Sequence, residues 1–312
     1  MSDLKTPSVP VPEPNEQDPR LGHWLQRDAT ELNSIDAVLI GFPSDVGVRR
    51  NGGRPGASEG PQEIRRQLYK MTASAEYYEP FVDLLECCTD VGDVRITGNL
   101  SADQQNLGNV VAGYLEQGVV PIILGGGHET AFGHFSGYVE SDQLTSIFNL
   151  DAHTDVRWLK EGKPHSGSSF RQALEHESGC AETYLAAGLQ PHSVAKAHLE
   201  FISNHGGHYK FRDETNITSI SGLFHQHESN RLMVTFDMDA VDQSQAPGVS
   251  APCTNGLPAD LWLTAAYLAG RNEDVSSFDV SELNPLHDRD GQTAKLAALT
   301  VWHFMLGLSQ RE

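Results

Sequence analysis

The chain has 312 residues, of which 38% are hydrophobic, and a formal net charge of −20. This charge argues against nucleic acid as a partner, because counterion release requires a basic face, and no apolar run approaches the roughly 18 residues of a membrane helix. The first seven residues lack the regions of a signal peptide, and the four cysteines show no CxxC spacing. We therefore expect a cytoplasmic protein with reduced thiols that binds neither nucleic acid nor membranes.

Residues 1–33 contain five prolines and few apolar side chains. This composition predicts an extended N-terminal arm that lies over the domain or over a partner subunit. Residues 34–312 are expected to form a single catalytic domain.

Strand-like runs alternate with helix-length stretches from Ala37 onward, which predicts an α/β fold with a mainly parallel sheet covered by helices on both faces. The predicted strands are Ala37–Phe42, Val119–Leu124, Ser146–Leu150, Thr183–Gly188, Leu232–Phe236 and Val275–Val280. The predicted helices are Gly60–Lys70, Gln104–Gln117, Ser193–Ile202, Pro258–Arg271 and Gly291–Leu308. In such sheets ligands bind beyond the carboxyl ends of the strands.

Three predicted strands end in side chains that can bind metal ions. Alternate residues of an extended chain point to one face, so carboxylates and imidazoles at such spacing can converge on one point. These residues are Asp151, His153 and Asp155 after the strand at 146–150, Asp237 and Asp239 after the strand at 232–236, and His128 after the strand at 119–124. Four carboxylates and two imidazoles would thus meet at one edge of the sheet.

A lone Asp-x-His or Asp-x-Asp segment is common and usually structural, but the joint occurrence at three strand ends favours metal binding. Each uncompensated buried charge costs several kcal/mol, and two divalent ions supply the positive charge that four carboxylates require. Oxygen-rich ligation with two histidines and no cysteine favours Mn²⁺ over zinc. Paired metal ions can lower the pKa of a shared water and deliver a nucleophile. The pattern therefore predicts a dinuclear hydrolase.

At these residues the chain resembles the ureohydrolase family, which includes arginase and agmatinase. The family's motifs match, in order and spacing, Gly126-Gly127-His128, Asp151-Ala152-His153-Thr154-Asp155, Asp237-Met238-Asp239 and Glu282-Leu283-Asn284-Pro285. The match extends from about residue 36 to residue 305. The resemblance implies an arginase-like three-layer α/β/α sandwich with two Mn²⁺ per subunit.

The family pattern also implies roles for individual residues. One ion would be held by His128, Asp151, Asp155 and Asp237, and the other by Asp151, His153, Asp237 and Asp239. Glu282 would face the amidine or guanidine carbon of the substrate and pair with its nitrogen atoms. Family members are commonly oligomers, so a homo-oligomer is compatible with the resemblance, although the sequence itself does not determine the oligomeric state.

Departures from the arginase and agmatinase patterns indicate the branch of the family. Glu129 follows His128 where those enzymes usually have serine, and Arg157 stands two residues after Asp155 where arginase has asparagine. The proline that commonly follows the Asp239 motif is missing, and a glycine-rich loop spans residues 47–57. These features resemble formimidoylglutamase, which implies hydrolysis of N-formimino-L-glutamate to L-glutamate and formamide in histidine degradation.

A substrate with two carboxylates needs local cations on a protein of this negative charge. Arg157 is placed to reach the substrate tail, and Arg49, Arg50 and Arg54 lie in the glycine-rich loop after the first predicted strand. Arginine binds carboxylates through two parallel hydrogen bonds, better than lysine does. The alternative for Arg157 is a salt bridge to a nearby acidic residue, and the alternative for Arg49, Arg50 and Arg54 is a structural role.

In the expected mechanism an activated water attacks the formimino carbon, and Asp155 carries a proton to the departing glutamate nitrogen. His165 is displaced by one residue from the position of the histidine in the His-Gly-x-Pro loop of arginase. We interpret it either as a further catalytic residue or as a surface-loop histidine. The remaining histidines, including His134, are interpreted as surface or packing residues.

Three alternatives remain at this level. The chain could be a guanidine hydrolase acting on agmatine, guanidinobutyrate or arginine, and preference for a cationic or neutral tail would favour that reading. It could also be a catalytically silent metal-binding relative, although all six ligand positions and Glu282 are retained. A zinc deacetylase fits poorly, because six ligands exceed what one zinc ion needs.

Overall fold

The strands form one nine-stranded sheet in the computed structural model, which describes residues 4–29, 34–227 and 229–311. The strands are β1 (Leu4–Lys5), β2 (Ala37–Phe42), β3 (Cys88–Val94), β4 (Val120–Gly125), β5 (Thr145–Leu150), β6 (Ala181–Leu189), β7 (His208–Phe211), β8 (Leu232–Asp237) and β9 (Val275–Ser281). Their order is β1-β3-β2-β4-β9-β8-β5-β6-β7, and every neighbouring pair is parallel except β1 with β3. All parallel strands therefore end at the same edge.

Eleven helices within the described ranges connect and cover the strands. They are α1 (Leu21–Leu25), α2 (Val46–Asn51), α3 (Gly60–Leu68), α4 (Tyr78–Glu86), α5 (Leu100–Leu115), α6 (Thr130–Glu140), α7 (Ser169–Leu174), α8 (Lys196–Asn204), α9 (Ile217–Phe224), α10 (Ala259–Arg271) and α11 (Gln292–Leu308). None of these helices is long and apolar enough to cross a membrane.

Both faces of the sheet are buried, which is why the central strands are apolar along their whole length. Every residue of β2, β4, β5 and β8 is buried. On one face a core joins α10 and α11 to the sheet, with Phe278 stacked on Phe304 and Phe236 against Trp262. A second core under α5 and α6 covers the other face. The α/β/α sandwich predicted from the sequence is confirmed.

All six predicted strands and all five predicted helices are present, with ends shifted by at most four residues. The described part of the N-terminal arm packs on its own domain. Its strand β1 extends the sheet beside β3, and Leu21 and Leu25 of α1 are fully buried. The predicted boundary after residue 33 lies outside the described residues.

Candidate metal centre

Four adjacent strands bring the metal-binding motifs to one place. In the sheet β4, β9, β8 and β5 are parallel neighbours, so their carboxyl ends lie side by side. Asp237 at the end of β8 is paired with Ser281 at the end of β9, and Leu150 at the end of β5 is paired with Phe236. The strands thus end nearly level, and the side chains that follow them converge.

The first cluster surrounds the imidazole of His128. Its Nδ1 lies 2.9 Å from Asp155 Oδ2, 3.1 Å from Asp237 Oδ2 and 3.3 Å from Asp151 Oδ2. All four side chains are buried, and their ligand atoms lie within 4.8 Å of one another. This is the set that the family pattern assigns to the first ion.

The second cluster contains Asp151, His153 and Asp239. The Nδ1 atom of His153 lies 3.2 Å from Asp239 Oδ2 and 3.5 Å from Asp151 Oδ1. Asp151 contributes to both clusters, as the family pattern requires of a bridging residue. Asp237, the other expected bridge, lies in the first cluster, and its Oδ1 accepts the main-chain N–H of Asp239 at 2.8 Å.

The pKa values of the two clusters are shifted in the directions expected for buried carboxylates that lie close together and next to imidazoles. Burial, with the nearby Asp239 and Asp151, raises the pKa of Asp237 well above its ordinary value, and burial raises the pKa of Asp239 to about 6. Asp239 raises the pKa of His153 far above its usual range, although burial opposes this. Burial also opposes protonation of His128, but Asp237 and the other carboxylates raise its pKa well above the ordinary value. Such clusters are stabilised by bound cations.

Two buried oxygen atoms test whether a metal pair fits. Within the described residues, Asp239 Oδ1 and Glu282 Oε2 have no hydrogen-bond partner. Because a buried carboxylate oxygen without a partner is costly, these atoms call for a cation or for a bound ligand with N–H groups. The oxygen-rich donor set with two imidazoles suits Mn²⁺. The residues present therefore fit a dinuclear manganese site.

Glu282 is held in an unusual conformation beside the clusters. Its φ angle is +68°, in the left-handed region that residues other than glycine rarely adopt, and Asp155 has a φ angle of +47°. Glu282 Oε1 accepts the main-chain N–H of His128 at 2.8 Å. Burial and the nearby Asp237 raise the pKa of Glu282 well above its ordinary value. This strained, buried carboxylate is therefore fixed next to the metal ligands.

A cavity of about 310 Å³ opens onto both clusters. Its polar and charged lining includes His128, His153, Asp155, Asp237, Asp239 and Glu282, together with Asn51, Arg54, Arg157, Ser166 and Ser250. Arg157 is exposed to solvent, and its Nη1 lies 3.4 Å from Asn51 Oδ1. This cavity therefore offers acidic groups for an amidine head and arginine cations for an anionic tail.

The four candidate arginines differ in whether they line the cavity. Arg157 and Arg54 line the cavity, whereas Arg49 and Arg50 do not. Arg49 pairs with Asp45 at 2.8 Å, and Arg50 donates to the carbonyl of Pro164. Arg49 and Arg50 thus make structural contacts, which was the alternative to their binding the substrate.

His165 also lies outside the cavity lining. Its Nδ1 accepts the N–H of Gly167 at 3.1 Å, and its Nε2 donates to the carbonyl of Trp158 at 3.0 Å. Both ring nitrogens are therefore occupied in holding the loop, and burial lowers the pKa of the ring. The neighbouring Ser166 lines the cavity instead.

Several residues of the cavity lining were not predicted as site residues from the sequence. Asn51 and Ser166 are joined by a hydrogen bond of 3.2 Å between Asn51 Nδ2 and Ser166 Oγ, and Ser250 lines the same cavity. Asn51 is the last residue of α2, and each of the three residues lies in the segment that follows a different strand, namely β2, β5 or β8. The only signal in the sequence was their proximity to Arg49–Arg54, His165 or the 246–252 segment.

Comparison with known proteins gives a consistent result. A model of the arginase family matches residues 35–307. A formimidoylglutamase from Rhodococcus opacus is 37% identical over 274 residues, which cover 84% of this chain and 82% of that protein.

Solved structures of similar proteins agree. The Trypanosoma cruzi formiminoglutamase with Mn²⁺₂ superimposes with a TM-score of 0.87 at 30% identity, over 95% of this chain and 100% of the other. The Bacillus subtilis formimidoylglutamase gives a TM-score of 0.86 at 25% identity, over 99% and 97% of the two chains.

Proposed function

The chain belongs to the arginase family, and we propose that it is a formimidoylglutamase that uses two Mn²⁺ to hydrolyse N-formimino-L-glutamate to L-glutamate and formamide. The observation that carries this proposal is a single cavity lined by five of the six residues of the two clusters, by Glu282 and by the exposed Arg157. The similarity to formimidoylglutamases and to a formiminoglutamase with Mn²⁺₂ supports the same choice of substrate and metal.

Six side chains would hold the metal pair. His128, Asp151, Asp155 and Asp237 would bind one ion, and Asp151, His153, Asp237 and Asp239 would bind the other. Bound Mn²⁺ supplies Lewis acidity and lowers the pKa of a water molecule, which makes a nucleophile available at neutral pH.

Glu282 recognises the formamidine head. Its Oε1 is anchored by the N–H of His128, so Oε2 is the atom left to accept an N–H of the substrate. A hydrogen bond between a carboxylate and an amidinium is charge-assisted and therefore strong. Because the backbone of Glu282 is held at a φ of +68°, the carboxylate is positioned before the substrate arrives.

Asp155 transfers the proton that the departing nitrogen needs. It lines the cavity, and its Oδ2 faces His128. A proton released by the attacking water would be taken up at the second oxygen, Oδ1, and would pass to the glutamate nitrogen as the carbon–nitrogen bond breaks. The amine then leaves in neutral form.

Arg157 is the main ligand for the substrate carboxylates. Among the residues that the structure describes, its guanidinium makes a single long hydrogen bond, to Asn51, so its other donors remain available to the substrate. Arg54 also lines the cavity, but its Nε donates to Ser250 O at 3.0 Å and its Nη2 donates to Val249 O. We therefore assign to Arg54 a supporting role at the same end.

Two further expectations belong to the proposal. All four cysteines are free thiols, three of them buried, which supports a reducing compartment such as the cytoplasm. A homo-oligomer remains part of the proposal, and sedimentation velocity of the purified protein would test it.

A substrate panel tests the proposal. Initial rates of the Mn²⁺-loaded protein would be measured with N-formimino-L-glutamate, agmatine, 4-guanidinobutyrate and arginine. We expect kcat/KM to be highest for N-formimino-L-glutamate by at least about tenfold, the value of one weak charge-assisted hydrogen bond. Preference for agmatine would contradict the assigned substrate, and no turnover of any amidine or guanidine would contradict the hydrolase.

A further inference from the structure

A row of buried, hydrogen-bonded polar side chains extends from Nε2 of His128 into the protein interior. It contains Thr235 on β8, Asp279 on β9 and His134 on α6, and all three are fully buried. None of them lines the cavity. The proposed reaction gives these residues no role, yet a buried and fully hydrogen-bonded network fixes the orientation of the groups that it contacts.

The hydrogen bonds at Thr235 determine which nitrogen of His128 carries a proton. Thr235 Oγ1 lies 2.9 Å from Asp279 Oδ1 and 3.0 Å from His128 Nε2. A carboxylate can only accept, so the single hydroxyl proton of Thr235 points to Asp279. The oxygen of Thr235 must then accept a proton from His128 Nε2.

Asp279 is itself held in place by two further donors. His134 Nδ1 lies 2.7 Å from Asp279 Oδ2, and Ser281 Oγ donates to Oδ1 at 3.0 Å. The carboxylate therefore accepts from His134 Nδ1–H, and His134 Nε2 contacts Ser277 Oγ at 2.5 Å. Asp279 is thus fixed as an acceptor, which fixes the direction of the Thr235 hydroxyl.

We propose that Thr235, Asp279 and His134 form a positioning relay that keeps the proton of His128 on Nε2 and so reserves Nδ1 for the metal ion. The inference rests on the proposed metal role of His128, whose Nδ1 faces the carboxylates of the first cluster. Partners that orient a metal-binding histidine in this way typically contribute a factor of 10–100 in metal affinity.

Mn²⁺ binding by four variants tests the relay. Free Mn²⁺ would be measured by its electron paramagnetic resonance signal during titration of the chelator-treated protein. Thr235→Val removes the hydroxyl at nearly constant volume, and Thr235→Ser restores it. Asp279→Asn introduces a donor that can turn the Thr235 hydroxyl toward His128. Thr300→Val is the matched control, because Thr300 is equally buried but bonds to Trp262 on the other face of the sheet.

We expect Thr235→Val and Asp279→Asn to weaken one of the two Mn²⁺ sites by roughly 10–100-fold. Thr235→Ser should bind as the wild type does, and Thr300→Val should bind normally even if it is less stable. Wild-type affinity in Thr235→Val would overturn the relay and leave the proposed function intact. Absence of Mn²⁺ binding by the wild-type protein would instead contradict the metal centre, and the relay with it.

A second measurement does not depend on variants. The ¹⁵N shifts of the histidine rings in protein loaded with diamagnetic Cd²⁺ report which nitrogen of His128 binds metal. We expect Cd²⁺ on Nδ1 and a proton on Nε2. Metal on Nε2 would overturn the relay.

Discussion

Glu282→Gln is the most informative substitution at the proposed site. The amide oxygen can still accept the N–H of His128, which Glu282 Oε1 accepts at 2.8 Å, so the backbone at a φ of +68° is not released. The chemical change falls on Oε2, the buried atom that has no partner among the described residues. The variant therefore tests recognition of the amidine head with little change of structure.

The magnitude follows from the bond that is lost. A hydrogen bond between a charged acceptor and its donor contributes about 1.5–3 kcal/mol, so kcat/KM for N-formimino-L-glutamate should fall by roughly 10–150-fold. Stability should not fall. Burial and Asp237 raise the pKa of Glu282 above the value of an unfolded chain. In chelator-treated protein this acid therefore opposes folding at any pH where it would ionise in the unfolded chain, and the neutral amide does not.

Glu129→Gln provides the matched control. Glu129 is also fully buried, its Oε1 accepts the N–H of Gly47 at 2.7 Å, and burial raises its pKa to about 7. Unlike Glu282, it does not line the cavity. We expect kinetics close to wild type in this control. Steady-state kinetics with Mn²⁺-loaded proteins would refute the reasoning if Glu282→Gln kept the wild-type kcat/KM, or if both variants lost the same factor.

Three further expectations concern the substrate tail, the loop and the metal ions. Arg157→Ala should raise KM by roughly 10–150-fold through loss of a charged hydrogen bond and should leave the Mn²⁺ content unchanged. Arg49→Ala alters an exposed side chain outside the cavity and should leave KM unchanged. Equal KM values for the two variants would exclude Arg157 from the site. His165→Ala removes two loop hydrogen bonds and should lower the free energy of unfolding by about 1–3 kcal/mol. The inflections of the pH–rate profile should stay the same. Loss of one inflection would show that His165 is a catalytic group. Removal of Mn²⁺ by a chelator should lower the melting temperature, since free Mn²⁺ at 100 times its Kd adds about 2.7 kcal/mol to the free energy of unfolding. The same melting temperature with and without chelator, measured by calorimetry, would argue against a bound metal.

The convergence of the metal-capable residues could be predicted because it follows from two local rules. Side chains at alternate positions after a strand share a face, and parallel strands end at one edge. Asp151, His153 and Asp155 stand at alternate positions directly after β5, and the sheet order satisfies the second rule. The backbone departs from the extended form at Asp155, whose φ is +47°. The assignment of these residues as ligands remains a proposal.

The strand β3 was not predicted because its sequence is polar. Asp90 and Asp93 lie within it, and both are paired with Arg65 of α3, which is almost completely buried. A buried strand of this composition is stable only with that partner, and the partner is more than twenty residues away. Local pattern therefore could not reveal it.

The helix α6 was missed for a different reason. It contains Gly133 and Gly137, which are unfavourable in an isolated helix. In the fold they allow close contact with α5, since a side-chain carbon at Gly133 would lie 2.9 Å from Leu107 and one at Gly137 would collide with Val111. Tertiary packing thus outweighs helix propensity here.

The relay behind His128 was also beyond prediction. It depends on β9 lying between β4 and β8, although β9 follows both of them in the chain. His134 was interpreted from its sequence neighbours as a surface or packing residue, whereas it is fully buried and its Nδ1 is bonded to Asp279. Contacts of this kind require the order of strands in the sheet.

Product analysis tests the central claim most directly. Mn²⁺-loaded protein would be incubated with N-formimino-L-glutamate, and glutamate, formamide and ammonia would be assayed in the same sample. Cleavage of the bond to the glutamate nitrogen predicts equal amounts of glutamate and formamide without ammonia. Release of ammonia with N-formyl-L-glutamate would show that the other carbon–nitrogen bond is broken, and would contradict the assigned reaction.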